Sequence, residues 1–147
     1  YVAFYIRKQL QALGIKPTET PPIPVRAGEL SHLRSDFSFP LPDNKKLGEL
    51  LKRLHPTPAV CGLPKEETYR RENEGYDRSY YSGFIGWLAP EGKSDLYVNL
   101  RCMNILRGSF VLYAGGGILA SSEIESEWLE TEAKMQTMKR LINSTDN

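Results

Sequence analysis

The chain has 147 residues, 40% of them hydrophobic and 25% charged, with a formal net charge of +1. That make-up fits one globular domain. So small a net charge, with basic residues scattered in short pairs such as Lys45-Lys46 and Arg70-Arg71, excludes the basic footprint of a nucleic-acid binder and any strong field toward a membrane surface.

Two cysteines, Cys61 and Cys102, with no CxxC spacing argue against a disulfide framework. No apolar run reaches the ~20 residues of a membrane span. A cytoplasmic protein with neither nucleic acid nor membrane as partner is the expectation.

Val2, Ile6, Leu10 and Leu13 recur at helical spacing, and Gly14 is a suitable stop, so a helix is predicted at the start. The pattern is already running at Tyr1, without Met or a capping residue, as expected of a piece of a longer protein. Pro17 to Pro24 reads as a connector. The stretch from Pro24 to Leu33 fits no single template, whereas His32 to Phe39 alternates like a strand. Pro40 to Asn44 is a turn. Lys45 to Leu54 predicts an amphipathic helix with Leu47, Leu50, Leu51 and Leu54 on one face.

The prolines of His55-Pro56-Thr57-Pro58-Ala59-Val60-Cys61-Gly62-Leu63-Pro64 argue against helix there. Pro64 then opens a further predicted helix to Glu74, ended by Gly75. Tyr80 to Leu88 predicts a strand whose Gly83 and Gly86 let another backbone pass close by. Turns at Pro90–Lys93 and Arg107–Ser109 separate it from strands at Asp95–Leu106 and Phe110–Ala114, making an antiparallel meander. The last helix is predicted from Ser122-Glu123 to Ile142, with Trp128, Met135, Met138, Leu141 and Ile142 on its apolar face.

Polar residues able to carry chemistry gather late in the chain. Glu127, Glu130 and Lys134 are spaced i, i+3 and i+7, which puts them on one helix face. Two carboxylates there could bind a hard cation such as Mg²⁺, which uses one or two protein carboxylates plus waters and substrate oxygens. The same spacing also suits a solvated face laced with i, i+4 pairs, and spacing alone leaves both readings open. Gly115-Gly116-Gly117 permits close backbone approach and positive φ, so its N–H groups could cradle an anion, or it could be a bare turn. Arg101, expected mid-strand on one face with Tyr97 and Asn99, could grip a carboxylate or reach solvent. His55 is a candidate acid, base or hydrogen-bond donor, or a structural residue of its rigid loop.

Taken in order, His55-Pro-Thr-Pro-Ala-Val-Cys-Gly62, Tyr76-Asp-Arg78, Tyr81-Ser-Gly83 with Gly86-Trp87, Leu100-Arg-Cys102, Ala114-Gly-Gly-Gly-Ile118, and Glu127-Trp-Leu-Glu-Thr131 with Lys134 resemble the C-terminal part of the chorismate-utilising enzymes. Among these the chain is most similar to the isochorismate synthases of menaquinone or siderophore biosynthesis. Anthranilate and aminodeoxychorismate synthases usually carry a Pro-Ala-Gly-Thr-type loop, a Thr and a Tyr where this chain has His55-Pro-Thr-Pro, Cys102 and Trp128. Salicylate synthase is the nearest enzymatic alternative. A degenerate chorismate-binding or interaction module is the non-enzymatic one.

The resemblance implies an α/β (α+β) fold, an antiparallel sheet sandwich with outer helices, of which residues 1–147 form one partial domain. It implies that Glu130 is a Mg²⁺ ligand, with Glu127 supporting the metal or its waters. Tyr81 and Arg101 would bind the enolpyruvyl carboxylate, aided by backbone N–H groups at Gly115 and Gly117. Lys134 would lie near the metal-bound ring carboxylate, and His55 and Ala59 would line the ring. Gly116 departs from the family's usual Ala, a change expected to be tolerated. The reaction implied is the isomerisation of chorismate to isochorismate: water adds at C2 and the C4 hydroxyl leaves. The base lysine, acid glutamate and another metal-binding glutamate of the family lie upstream of the first helix. The 147 residues alone are therefore expected to be inactive, and to self-associate through sheet edges left without partners.

Overall fold

The computed structural model describes residues 1–27, 30–41, 43, 46–65, 74–89 and 91–143. The chain divides into two compact units, Tyr1–Asn73 and Glu74–Asn147, and each is described by itself.

In the first unit, helix α1 (Val2–Ala12) follows the predicted apolar period and ends where Gly14 takes a φ of 70°. Its last carbonyls accept from the Leu13, Gly14 and Ile15 N–H groups at 2.9–3.0 Å, as a C-terminal cap requires. Strand β1 (Thr18–Glu19) follows. Strands β2 (Ile23–Ala27) and β3 (Leu30–Arg34) form an antiparallel hairpin across the stretch that fitted no single template. The predicted strand from His32 to Phe39 divides, because β4 (Phe37–Ser38) pairs with β1 instead. Arg7 on α1 holds Glu19 on β1 through both carboxylate oxygens at 2.7–2.9 Å, the bidentate geometry that suits guanidinium.

Helix α2 (Leu47–Leu54) agrees with its apolar pattern over the described residues; Asn44 and Lys45 lie outside them. The proline-rich loop corrects an expectation, since Pro58–Cys61 forms a short helix, α3. Pro58 stands at its first turn, where the absent N–H is not needed and φ is already helical. Both α2 and α3 pack on α1, and Leu10, Leu50, Pro56 and Cys61 are the buried apolar residues of this unit among those described. The helix predicted after Pro64 lies mostly outside the described residues.

In the second unit, β5 (Phe84–Trp87) pairs antiparallel with β6 (Asp95–Val98), and β7 (Met103–Leu106) pairs with β8 (Ser109–Leu112). The expected close approach is present: a Cβ on Gly86 would lie 1.9 Å from the Asp95 carbonyl oxygen. The expected three-stranded meander is corrected to two separate hairpins. The break falls at Asn99–Cys102. There the Leu100 N–H turns back to the Val98 carbonyl at 3.0 Å, and Arg101 adopts a left-handed φ of 49°. Arg101 is thus on a turn, and Tyr97, Asn99 and Arg101 do not share a strand face. Helix α4 (Ile124–Asn143) starts two residues after Ser122 and buries none of its residues. Trp128 is 61% exposed. Helices with antiparallel strand pairs make the chain α+β, the expected class.

Candidate active site

The spacing on α4 puts Glu127, Glu130 and Lys134 on successive turns, and Glu127 and Lys134 reach the glycine segment that follows β8. The Lys134 ammonium lies 2.9 Å from Glu130 Oε1 and donates to the Gly115 carbonyl oxygen at 2.9 Å. The i, i+4 ion pair of the solvated-face reading is thus present, and its lysine lies against the glycine segment. Glu127 Oε1 accepts from the Ser122 hydroxyl at 2.5 Å. A Cβ on Gly116 would lie 3.2 Å from Glu127 Oε2 and 3.9 Å from Lys134 Nζ. Gly115 and Gly116 therefore serve close approach, Gly117 does not, and none of the three takes a positive φ.

Tyr81 joins from the turn before β5. A Cβ on Gly115 would stand 2.9 Å from its hydroxyl. Its ring stacks on Tyr113 with centroids 5.4 Å apart and planes 20° from parallel. The Arg78 guanidinium lies 5.8 Å from the ring centroid. Burial pushes the Tyr81 phenol up, neighbouring Tyr76 adds to this, and Arg78 opposes it. Tyr81 is therefore a neutral donor at physiological pH.

The turn bearing Tyr81 is tied to the turn bearing Arg101 by Asn99. Its carbonyl accepts from the Ser82 N–H at 2.8 Å, its N–H donates to the Gly83 carbonyl at 2.8 Å, and its side-chain amide donates to the Tyr80 carbonyl at 2.9 Å. Ser82, 5% exposed and at a φ of 64°, also accepts from Arg78 at 2.9 Å. Arg78 is in turn ion-paired with Glu74, which holds the Glu74 carboxyl below its ordinary range.

Tyr81, Gly115, Glu127, Glu130 and Lys134 are thus brought together, with Gly117 in the same turn and Arg101 in the same unit. His55 and Ala59 belong to the first unit. His55 follows α2; its N–H donates to the Leu51 carbonyl at 2.8 Å and its carbonyl accepts from Lys65 at 3.2 Å. Ala59 is exposed on α3. A cleft of about 730 Å³ in the second unit is lined largely by apolar groups, including Tyr113, Ile118, Trp128 and Met135, and touches the cluster only at Glu127.

The donor set fits a hard divalent cation in part. Glu127 and Glu130 supply carboxylate oxygens, and the missing Gly116 side chain leaves room beside Glu127 Oε2. Among the described residues no group of three or more His, Cys, Asp or Glu side chains could hold a metal, so further ligands must be water or substrate, or come from outside these residues. Sequence reasoning missed Ser122 as the partner of Glu127, Tyr113 as the platform for Tyr81, and Arg78 as a link between Glu74 and Ser82. The hydroxyl just before the last helix signalled only a helix start, and stacking between distant tyrosines leaves no local pattern.

The arrangement sets two carboxylates and a lysine of the last helix beside a glycine segment and a half-buried tyrosine. The chain belongs to the chorismate binding enzyme family, whose model matches residues 1–143. It is 45% identical over 87 residues to the vibriobactin-specific isochorismate synthase of Vibrio cholerae, covering 58% of this chain and 22% of the relative. It is 36% identical over 121 residues to the salicylate biosynthesis isochorismate synthase of Pseudomonas aeruginosa, covering 81% of this chain and 25% of the relative. Its fold matches that of MenF, the menaquinone-specific isochorismate synthase of Escherichia coli, with a TM-score of 0.82 and 31% identity over 94% of this chain and 32% of that one. The chain spans about a quarter of the length of the curated relatives it matches.

Proposed function

We propose that this chain is the substrate-holding part of an isochorismate synthase that isomerises chorismate to isochorismate with Mg²⁺. The observation that supports it most is Lys134 bridging Glu130 and the Gly115 carbonyl beside Tyr81.

In this reading Tyr81 donates to the enolpyruvyl carboxylate and Arg101 pairs with it through its planar fork. Lys134 lies near the ring carboxylate. Glu130 and Glu127 hold the metal and its waters. Bound Mg²⁺ would neutralise the ring carboxylate and ease charge build-up as the C4 hydroxyl leaves. Positioning is this chain's contribution: it holds the ring so that water and C2 meet without a large entropy cost. A base lysine that activates water and an acid glutamate that protonates the leaving hydroxyl would come from the remainder of the full-length enzyme.

The product would feed menaquinone or siderophore biosynthesis, and the full-length enzyme would work in the cytoplasm. No helix among the described residues is long and apolar enough to cross a membrane. By itself the chain should be inactive and should self-associate through exposed apolar residues such as Ile85, Trp87 and Ile105. A strictly monomeric chain in light scattering would contradict the second expectation.

Incubating the full-length protein with chorismate and Mg²⁺ and separating the products tests the reading. Isochorismate that disappears when EDTA is added supports it. Salicylate as sole product would make the protein a salicylate synthase, and an aminated product formed with ammonia would place it among the anthranilate or aminodeoxychorismate synthases. Chorismate binding without turnover would make it a degenerate binding module.

A further inference from the structure

We infer that Ser122 is a positioning residue that fixes the carboxylate of Glu127, and so decides which of its oxygens faces the glycine turn. The inference rests on the reading of Glu127 as a support for Mg²⁺.

A glutamate on an exposed helix face ordinarily samples several rotamers, and each rotamer presents different oxygens. Glu127 is held. Ser122 has one hydroxyl proton, and a carboxylate can only accept, so the 2.5 Å contact is a donation from Ser122 Oγ to Glu127 Oε1. The acceptor side of the same hydroxyl takes the Leu119 N–H at 3.0 Å. The Ser122 N–H in turn donates to the Leu119 carbonyl at 3.0 Å. Ser122 is thus locked into its loop from two directions before it reaches Glu127.

With Oε1 engaged, Oε2 is the oxygen left beside the glycine turn, 3.2 Å from where a Gly116 Cβ would stand. The turn, the serine and the carboxylate form one preorganised edge. Outer partners of this kind orient a ligand and raise metal affinity without touching the metal.

The test is calorimetric titration of the full-length enzyme with Mg²⁺. Ser122→Ala should weaken Mg²⁺ binding by about tenfold, the lower end of what loss of an outer partner costs. Ser122→Thr, which keeps the hydroxyl, should restore it. In a Glu127→Ala background, Ser122→Ala should have no further effect, because the serine acts only through that carboxylate. A purely structural serine would weaken binding equally in both backgrounds, and that result overturns the inference. So does unchanged affinity in Ser122→Ala while Glu130→Ala loses Mg²⁺. If Ser122→Ala fails to fold, Ser122→Cys, similar in size but a poorer donor, must show the same loss, and wild-type affinity there overturns the inference. Mg²⁺ binding that survives both Glu130→Ala and Glu127→Ala would instead sink the metal reading, and the inference with it.

Discussion

The Lys134 ammonium donates to the Gly115 carbonyl oxygen at 2.9 Å, tying the last helix to a turn 19 residues earlier in the chain. The same ammonium neutralises Glu130, and its side chain is only 16% exposed. A cation placed this way is asked to do two things with opposite consequences for a metal. It tethers the turn and, in the proposed reading, offers charge to an anionic substrate, and it also competes with any cation for Glu130.

Lys134→Met separates the two roles, since Met keeps most of the stem and loses the charge. A charge-assisted hydrogen bond is worth ~1.5–3 kcal/mol, or roughly ten- to a hundredfold in binding. The full-length enzyme should therefore show a chorismate KM at least about tenfold higher. Its Mg²⁺ affinity, measured without substrate, should hold or rise, because Glu130 is released. A fall in Mg²⁺ affinity with unchanged KM would reverse the roles assigned here.

The three glycines should differ sharply in their tolerance of a methyl group. Gly115→Ala puts Cβ 2.9 Å from the Tyr81 hydroxyl, so the ring must leave its place on Tyr113 or the turn must shift. Gly116→Ala meets the end of a flexible Glu127 at 3.2 Å, and Gly117→Ala meets nothing within 4 Å. In steady-state assays of the full-length enzyme, KM should rise most for Gly115→Ala, several-fold at most for Gly116→Ala, and scarcely for Gly117→Ala. Equal effects at all three would show that the turn is not read through these contacts.

What the sequence made legible here was periodic or local. The apolar repeat of Val2, Ile6 and Leu10 became α1, and the i, i+3, i+7 spacing put Glu127, Glu130 and Lys134 together. The Asp95–Leu106 run reads as one strand because strand propensity is summed over neighbours. The event that ends β6 is instead a turn-back at Leu100 and a left-handed Arg101. Pro58 reads as a breaker by residue type, but its position makes it a first-turn residue of α3. The stack of Tyr81 on Tyr113 joins residues far apart in sequence, where no spacing rule operates, and the Arg78 contact arises within the turn that the Tyr81 N–H closes on the Arg78 carbonyl.

Tyr81 should ionise late. Burial raises its phenol above the ordinary 10.0, so the folded chain holds that proton more tightly than the unfolded one. Stability is then at its full value below the unfolded pKa and declines as pH climbs from there through the raised folded value. An ultraviolet difference titration of the second unit's tyrosines should show a delayed phase. That phase should shrink in Tyr81→Phe, leaving the part due to Tyr76, which burial also raises. A titration curve unchanged by Tyr81→Phe would mean that Tyr81 is not the protected phenol, and would weaken its assignment as a neutral donor.

Gly86→Ala tests the hairpin that carries Tyr81 toward the turn. Its Cβ would fall 1.9 Å from the Asp95 carbonyl oxygen and 2.9 Å from Leu96 Cα, both backbone atoms of the paired strand. A flexible side chain could swing aside; a backbone in register cannot move without breaking the Gly86–Leu96 pairing and the ladder around it. Overpacking of this kind costs ~1–3 kcal/mol where side chains can adjust, so a backbone clash belongs at or beyond the upper end. Chemical denaturation of Gly86→Ala should show a stability loss of about 3 kcal/mol or more. Because the hairpin is tied to the Arg101 turn through Asn99, chorismate KM should rise with it in whatever fraction remains folded. A loss below about 0.5 kcal/mol, the usual range of a neutral surface change, would mean that the two strands do not approach this closely.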